Sequence, residues 1–482
     1  MGNAGPEWVK DAVFYQIFPD RFARLTNSRI DLNFNFEEWD SPPTRHGYKG
    51  GTLSGICNRL EYLQELGVNA LYLNPIFQST ANHRYHTCDY FQIDPLLGGK
   101  KAFDDLLAAS HERGMRVILD GVFNHVGRGF FPFNDLIENG PASAWVNWFR
   151  IREWPIHPYS TTRTPSYACW HDLPALPQLN HDNPAVRDFL FGIAEHWLRK
   201  GIDGWRLDAP DCIQTPGFWE EFRARVKAIN PEAYLVGEIL PEAVGWLDGN
   251  RFDGVTNYPL YGALTMFSGG AYLDLSHVKV TMTGLREAID GRSFAEHLCR
   301  LMQIYPWEAT LSQLNFLETH DTPRFVTVVS GHLQALKTAL VLLFTLPGVP
   351  TIYYGGEVGI AGSDDPDCRQ SFPPESAWDI SILTLYKKLI ALRKTHDALR
   401  TGSIIVLGGQ ETAVCYLRRD SNGRTILIAV NAGERPARLH FNVSNLDQLL
   451  WSQVLFGSGT VQLEGNNLTL ALPPGGSLLA GG

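Results

Sequence analysis

The sequence has no hydrophobic run long enough to cross a membrane and no cluster of basic residues. Its longest apolar stretch, residues 338–346, is far shorter than the roughly 20 residues of a membrane helix. The N-terminus has no apolar core of a signal peptide, and Pro6 stands where a myristoylation motif needs Ser or Thr. With a net charge of -10, the chain is not expected to bind nucleic acid or an anionic membrane.

Cysteine is scarce and shows no pattern. The seven cysteines are odd in number and lack metal-ligand spacing, so we expect reduced thiols and a cytoplasmic location. Hydrophobic residues make up 44% of the chain and charged residues 19%, which is typical of a folded globular protein. A length of 482 residues predicts two or three domains.

From residue 11 to about 395, short β-branched or aromatic runs alternate with amphipathic helical stretches. This alternation predicts βα units on a parallel sheet, and eight candidate strands predict a closed (β/α)8 TIM barrel. The candidate strands are 12–18, 68–73, 116–121, 204–208, 234–238, 252–257, 313–318 and 350–354.

Two other segments interrupt or follow the barrel pattern. Residues 123–180 are rich in Trp, Pro and Phe and too long for a plain loop, so we expect an inserted subdomain over the barrel mouth. Residues 401–482 alternate apolar and polar positions between turn residues, which predicts a C-terminal antiparallel β-sandwich. The predicted barrel domain is therefore 1–122 together with 181–400.

Three candidate strands lead into carboxylates, at Asp208, Glu238 and Asp321. The strands of a parallel barrel end at one mouth, so these groups are expected to meet there. Paired carboxyl groups in unlike surroundings are what cleavage of a glycosidic bond requires.

Arg206 and Asp208 share one face of their strand, because side chains alternate with a period of two. We expect Arg206 to lower the pKa of Asp208 and keep it ionised as a nucleophile. The apolar sequence around Glu238 predicts a raised pKa, which suits a general acid. The alternative for Arg206 and Asp208 alone is a structural ion pair.

His125 and His320 follow strand ends beside an Asn or Asp, and we interpret them as donors to sugar hydroxyls. A metal site built from these histidines and the aspartates is the alternative. The absence of a His-x-His pattern and the positive charge of Arg206 weigh against it. We therefore expect no cofactor.

These segments resemble the ordered signature regions of the α-amylase family of glycoside hydrolases. The matching stretches are DGVFNH at 120–125, GWRLDA at 204–209, GEI at 237–239, THD at 319–321 and HRYHTCD at 83–89. The resemblance implies a retaining mechanism, with Asp208 as nucleophile, Glu238 as acid/base and Asp321 as transition-state stabiliser. It also implies that His83, Tyr85, His125, Arg206 and His320 bind the sugar next to the cleaved bond, and that Asp120 and Asn124 mostly support the architecture.

Two further stretches are similar to the neopullulanase, cyclomaltodextrinase and maltogenic amylase branch. They are LPQLN at 176–180 and DPDCR at 365–369, and the resemblance implies that Asp365 and Arg369 bind the sugar on the non-reducing side. Enzymes of this branch cleave α-1,4 and often α-1,6 links in cyclodextrins, maltooligosaccharides, starch or pullulan. Many also transglycosylate, so a glucanotransferase is an alternative.

The chain departs from that branch in ways that favour another alternative. The first predicted strand begins close to residue 12, where the branch usually has an extra N-terminal β domain that builds its homodimer. The acceptor-side stretch reads APDC at 209–212. Both features resemble a debranching enzyme that prefers α-1,6 links bearing long chains.

Calcium is the one metal that the family resemblance leaves open. Many members bind it, and residues 27–40 contain Asp31, Asn33 and Asn35. The stretch lacks the Gly-containing loop of a calcium site, so we expect none.

Overall fold

The core of the molecule is a parallel β-barrel. The computed structural model describes residues 5–25, 34–160, 162–444, 451 and 453–481. Its first ten strands are β1 Phe14–Ile17, β2 Ala70–Leu73, β3 Phe77–Ser79, β4 Thr87–Ile93, β5 Arg116–Gly121, β6 Gly204–Leu207, β7 Tyr234–Gly237, β8 Gly254–Val255, β9 Leu314–Asn315 and β10 Val349–Tyr353. All except the β3–β4 hairpin form one sheet in the order β8-β7-β6-β5-β2-β1-β10-β9. A parallel bridge between Thr256 and Leu314 joins its two edges, so the predicted barrel is confirmed.

Strand β6 shows the predicted alternation of faces. Trp205 and Leu207 pack into the large core between the strands and the surrounding helices. Arg206, between them, is buried on the opposite face with acidic partners. The floor of the lumen is filled by apolar side chains, among them Phe14, Ala70, Ile118, Tyr234 and Val349.

Helices surround the barrel, and several begin at side-chain caps. Helix Pro184–Arg199 is capped at its start, where the Asn183 side chain accepts a hydrogen bond from the Ala185 N–H. Within the described ranges, no helix is both long and apolar enough to span a membrane. The helices are Glu7–Lys10, Pro19–Phe22, Leu53–Cys57, Leu60–Leu66, Gly99–Glu112, Phe131–Asn139, Pro184–Arg199, Phe218–Ile229, Tyr258–Gly269, Val280–Thr283, Gly291–Ile304, Trp307–Leu311, Phe325–Val328, Leu333–Thr345, Ile380–Thr395 and Asp397–Arg400.

The segment between β5 and helix Pro184–Arg199 is mostly irregular, as expected of an insertion. It contains helix Phe131–Asn139 and a set of isolated bridges. One bridge pairs His125 with Gln178, which lays the end of the segment across the mouth of the barrel.

The C-terminal region forms two antiparallel sheets packed on a shared apolar core. Its strands are β11 Ser403–Gln410, β12 Ala413–Arg419, β13 Thr425–Asn431, β14 Ala437–Asn442, β15 Gln453–Gly457, β16 Thr460–Glu464, β17 Asn467–Leu472 and β18 Ser477–Gly481. The sequence pattern predicts strands at 403–407, 413–418, 425–431, 437–441 and 468–472, so it misses β15, β16 and β18. Strand β18 is buried at four of its five positions, and a strand buried on both faces does not need alternating polarity. The domain boundaries at residues 122, 180 and 400 stay predictions.

Candidate active site

Asp208 and Glu238 lie side by side where β6 and β7 end. The two strands pair Leu207 with Gly237, and the carboxylates belong to the next residue of each strand. The Glu238 N–H donates to the Leu207 carbonyl at 2.9 Å, which continues the pairing by one step. Neighbouring strands are about 4.8 Å apart, so the two side chains leave the barrel as close neighbours.

Arg206 holds three carboxylates around one guanidinium group. Its Nη1 lies 2.8 Å from Asp120 Oδ1 and 3.1 Å from Asp208 Oδ1. Its Nη2 pairs with Glu238 Oε1. All four side chains are buried, so one cation faces three acidic groups in a poorly solvated space.

This crowding overturns one expectation about charge. Arg206 does act to lower the pKa of Asp208, but burial and the carboxylates of Glu238 and Asp120 outweigh it, and that pKa is well above its usual value. Burial also raises the pKa of Glu238, as predicted. The two groups therefore hold a proton more tightly as a pair than isolated carboxyl groups would.

Asp321 reaches the same mouth from a loop and not from a strand end. Strand β9 ends at Asn315, earlier than predicted. The loop is fixed by a 2.9 Å ion pair between Glu318 and Arg324 and by a hydrogen bond from the Asp321 N–H to Thr319 Oγ1 at 3.2 Å.

Two basic side chains flank Asp321. His320 Nε2 lies 3.0 Å from its Oδ2, and Arg369 Nη2 lies 3.1 Å from its Oδ1. Burial raises the pKa of Asp321, but His320 and Arg369 more than offset this and hold that pKa far below its usual value. Arg369 also pairs with Asp365 at 3.0 Å, so the two residues of the predicted non-reducing side adjoin the carboxylates.

Tyr85 links the two halves of the cluster through its hydroxyl group. The hydroxyl donates to Asp120 Oδ2 at 2.9 Å and lies 2.6 Å from His320 Nε2. The Tyr85 and His320 rings are parallel, with centroids 5.4 Å apart. His83 lies beside them, and its Nδ1 accepts a hydrogen bond from the Tyr85 N–H at 3.2 Å. Burial lowers the pKa of His83 well below its usual value.

His125 is buried and neutral. Burial lowers its pKa to about 3. Its ring stacks on Trp170 with centroids 5.3 Å apart, and within the described residues its Nε2 has no hydrogen-bond partner. A substrate hydroxyl is a suitable partner for this nitrogen. All ten predicted site residues thus lie at one mouth of the barrel.

The structure adds three residues to the predicted set. Asp120 accepts hydrogen bonds from Tyr72 and Tyr85 in addition to Arg206, so it holds these three side chains together in the cluster. Tyr258 donates to Glu238 Oε1 at 3.3 Å, and its place directly after the sixth predicted strand was an available signal. Lys279 Nζ donates to the Asp321 carbonyl at 2.8 Å and pairs with Asp364 at 3.0 Å; no motif marks it in the sequence.

Comparison with known proteins decides the family. A model of the α-amylase catalytic domain matches residues 16–377, which is most of the chain and contains every predicted site residue. The chain belongs to the α-amylase family of glycoside hydrolases. It is therefore an enzyme of that class with the expected TIM-barrel fold.

Relatives extend the similarity over nearly the whole chain. A cyclomaltodextrinase of Geobacillus thermopakistaniensis is 38% identical over 98% of this chain and 77% of its own length. Neopullulanase 2 of Thermoactinomyces vulgaris is 37% identical over 97% of this chain and 77% of its own. The crystal structure of a debranching enzyme from Nostoc punctiforme matches with a TM-score of 0.93 and 47% identity, covering 100% of both chains.

Proposed function

We propose that the chain hydrolyses α-glucosidic bonds with retention of anomeric configuration. The observation that supports this is the adjacency of Asp208 and Glu238 on paired strands around Arg206. Retaining glycosidases place two carboxyl groups about 5 Å apart, one as nucleophile and one as acid/base.

In the first step an Asp208 oxygen bonds to the anomeric carbon, and the glycosidic C–O bond breaks. Glu238 gives its proton to the departing sugar oxygen. Water then attacks the same carbon, Glu238 takes a proton from it, and the bond to Asp208 breaks. The strongly ionised Asp321 stabilises the positive charge that develops on the sugar ring.

Asp208 must be ionised to attack, and its raised pKa opposes that ionisation. Substrate entry brings hydroxyl groups to Asp208 Oδ2, which is buried and without a partner within the described residues. Hydrogen bonds to an ionised carboxylate stabilise it. Burial raises the pKa of Glu238, which favours the protonated form that the departing sugar needs.

The substrates we propose are α-1,4- and α-1,6-linked glucans: cyclodextrins, maltooligosaccharides, starch and pullulan. The names of the cyclomaltodextrinase and neopullulanase relatives support this range. His83, Tyr85, His125, Arg206 and His320 would hold the sugar beside the cleaved bond, and Asp365 and Arg369 the next one on the non-reducing side. Transglycosylation by the same residues is part of the proposal, because a sugar can replace water in the second step.

A preference for α-1,6 branch points is the second candidate function. The observation that favours it is the end-to-end match with the Nostoc punctiforme debranching enzyme, which covers both chains fully at 47% identity. The cyclomaltodextrinase match leaves nearly a quarter of that relative uncovered.

Product chromatography separates the candidates. Purified enzyme is incubated in parallel with β-cyclodextrin, pullulan, amylopectin and maltotriose. Maltose from cyclodextrin with panose from pullulan supports the broad hydrolase, whereas long linear chains from amylopectin with intact cyclodextrin support debranching. Products longer than maltotriose indicate transfer. NMR of the first product formed must show the α-anomer, and an inverted product would disprove the mechanism.

The remaining proposals concern location, assembly and calcium. A cytoplasmic location is supported by the seven cysteines, all of which are free thiols. The homodimer implied by the family resemblance stays a prediction, which light scattering can check. The calcium stretch falls partly outside the described residues, since Asp31 and Asn33 lie there. Activity measured after dialysis against a chelator tests the prediction that no calcium is bound.

A further inference from the structure

Tyr159, in the inserted segment, is an exposed aromatic side chain with one face already covered. It is 69% exposed. The Arg128 guanidinium carbon lies 4.5 Å from the centroid of its ring, and Arg128 Nη1 donates to the Pro158 carbonyl at 2.7 Å. This hydrogen bond and the cation–π contact hold the ring in place, and the exposed part of the ring is left to solvent.

The backbone beside Arg128 runs along the loop that carries the predicted sugar-binding residues. The Gly127 N–H donates to the Thr87 carbonyl at 2.8 Å. A Cβ at Gly129 would lie 2.8 Å from the Cys88 sulfur, which shows how closely the two segments pack. His83 and Tyr85 stand a few residues away on that same loop.

His86 lies between Arg128 and the candidate active site. Its ring meets the His83 ring edge-on at 5.0 Å. Burial and the nearby charge of Arg128 together lower the pKa of His86 to about 4, so this ring is neutral at physiological pH. Three side chains therefore lead outward from His83: the neutral imidazole of His86, the charged guanidinium group of Arg128 and the phenol of Tyr159.

We propose that Tyr159, backed by Arg128, is a distal platform on which a further glucosyl ring of a long α-glucan stacks. The inference rests on the proposed function and adds a site that favours longer chains. The C–H face of a pyranose packs well on an aromatic ring, and an ordered ring loses little conformational entropy on binding. Arg128 also carries N–H groups that can donate to sugar hydroxyls.

The test compares KM across chain lengths, from maltotriose to long maltooligosaccharides and amylopectin. In Tyr159→Ala, KM for the long chains should rise about two- to tenfold, the range expected for one aromatic stacking contact. The kcat values and the KM for maltotriose should not change. Tyr159→Phe keeps the ring and should behave as wild type.

Phe91→Ala is the matched control. Phe91 is 42% exposed but packs on Phe189 and His196, away from the path to Tyr159, and its removal should have no effect that depends on chain length. The proposal is overturned if Tyr159→Ala leaves KM unchanged at every length, or if KM rises equally for maltotriose. A wild-type enzyme that leaves every glucan intact would overturn the proposed function and the platform with it.

Discussion

At the scale of single residues, the charge state of Asp208 depends on how many groups share Arg206. The guanidinium contacts Asp120, Asp208 and Glu238 at once. One cation cannot compensate the burial of three carboxylates, so the pKa of Asp208 rises although a cation lies next to it. Arg206 alone therefore does not set the charge state of the proposed nucleophile.

Asp208→Asn should remove most of the turnover while leaving substrate binding intact. An amide cannot form the covalent glycosyl intermediate, so kcat should fall by several orders of magnitude, about 10⁴-fold or more. Steady-state kinetics and calorimetric titration with maltotriose measure the two effects. Asp105→Asn is the control, because Asp105 is an exposed residue of helix Gly99–Glu112. Near-normal turnover in Asp208→Asn would remove this residue from the mechanism.

Lys279 is a positioning residue for Asp321 in this arrangement. Its ammonium group donates to the Asp321 carbonyl and pairs with Asp364. Loss of a charge-assisted hydrogen bond costs about 1.5–3 kcal/mol, so Lys279→Met should lower kcat/KM about tenfold or more. Lys279→Arg should restore most of the lost kcat/KM.

A loss of folding stability would also lower activity, and a control distinguishes the two causes. Lys387→Met removes a partly exposed lysine 4.0 Å from Glu65 and should change neither kcat/KM nor the urea midpoint. If Lys279→Met shifted the urea midpoint but left kcat/KM of the folded enzyme unchanged, the proposal that Lys279 positions Asp321 would be wrong.

At the scale of secondary-structure elements, Asp203 joins two strands and a helix at the end of the barrel opposite the site. Its carboxylate accepts from the Val117 N–H, Arg116 and His111, each at 2.8 Å. Burial raises its pKa, but these hydrogen bonds outweigh burial, and the net shift is downward. The pairing of β5 and β6, which aligns Asp120 with Arg206, is therefore stabilised by an ionised group.

Asp203→Asn should lower the free energy of unfolding by about 1–3 kcal/mol at pH 7. The native pKa lies below that of the unfolded chain, so this stabilisation is complete above the unfolded value of about 3.9. It is lost as the pH falls through the native pKa. The difference in urea midpoint between wild type and variant should thus shrink in strong acid.

Asp188→Asn is the control for this prediction. Asp188 pairs with Arg225 at 3.0 Å on the surface, where such pairs contribute little, and its loss should leave the midpoint nearly unchanged. A constant difference between wild type and Asp203→Asn from neutral to acidic pH would contradict the argument.

At the scale of the whole molecule, the five-stranded C-terminal sheet shares an apolar core with the barrel. Residues of β12, β13 and β18, including Tyr416, Ile428 and Leu479, belong to the same buried cluster as the barrel helices. Arg418 joins the two parts, because it is buried and donates to the Thr345 carbonyl at 2.5 Å and the Gly402 carbonyl at 2.8 Å. Burial lowers its pKa to about 9.

Arg418→Met should destabilise the whole molecule without altering the site. Two buried carbonyl groups lose their donor, which costs about 2–5 kcal/mol in total. The urea midpoint should fall, while KM for maltotriose stays unchanged for the folded fraction. Arg438→Met, on the exposed side of β14, is the control and should change neither quantity. An unchanged midpoint in Arg418→Met would show that this contact does not join the two regions.

Much of this architecture follows from local pattern. The eight barrel strands and the carboxylates after β6 and β7 were predictable, because apolar runs of strand length and alternating faces depend only on neighbouring residues. The loop position of Asp321 was not predictable, because its carboxylate pairs at 3.1 Å with Arg369 from another loop. That partner is distant in sequence.

The sequence by itself determined the family, the barrel and the identity of the acidic residues, since these depend on residue type, order and spacing. Only the tertiary structure decided how charge is distributed among them. A pKa depends on burial and on every charge within a few ångströms, and Lys279, Arg369 and Asp120 reach the cluster from separate parts of the chain. The raised pKa of Asp208 and the lowered pKa of Asp321 are results of that assembly.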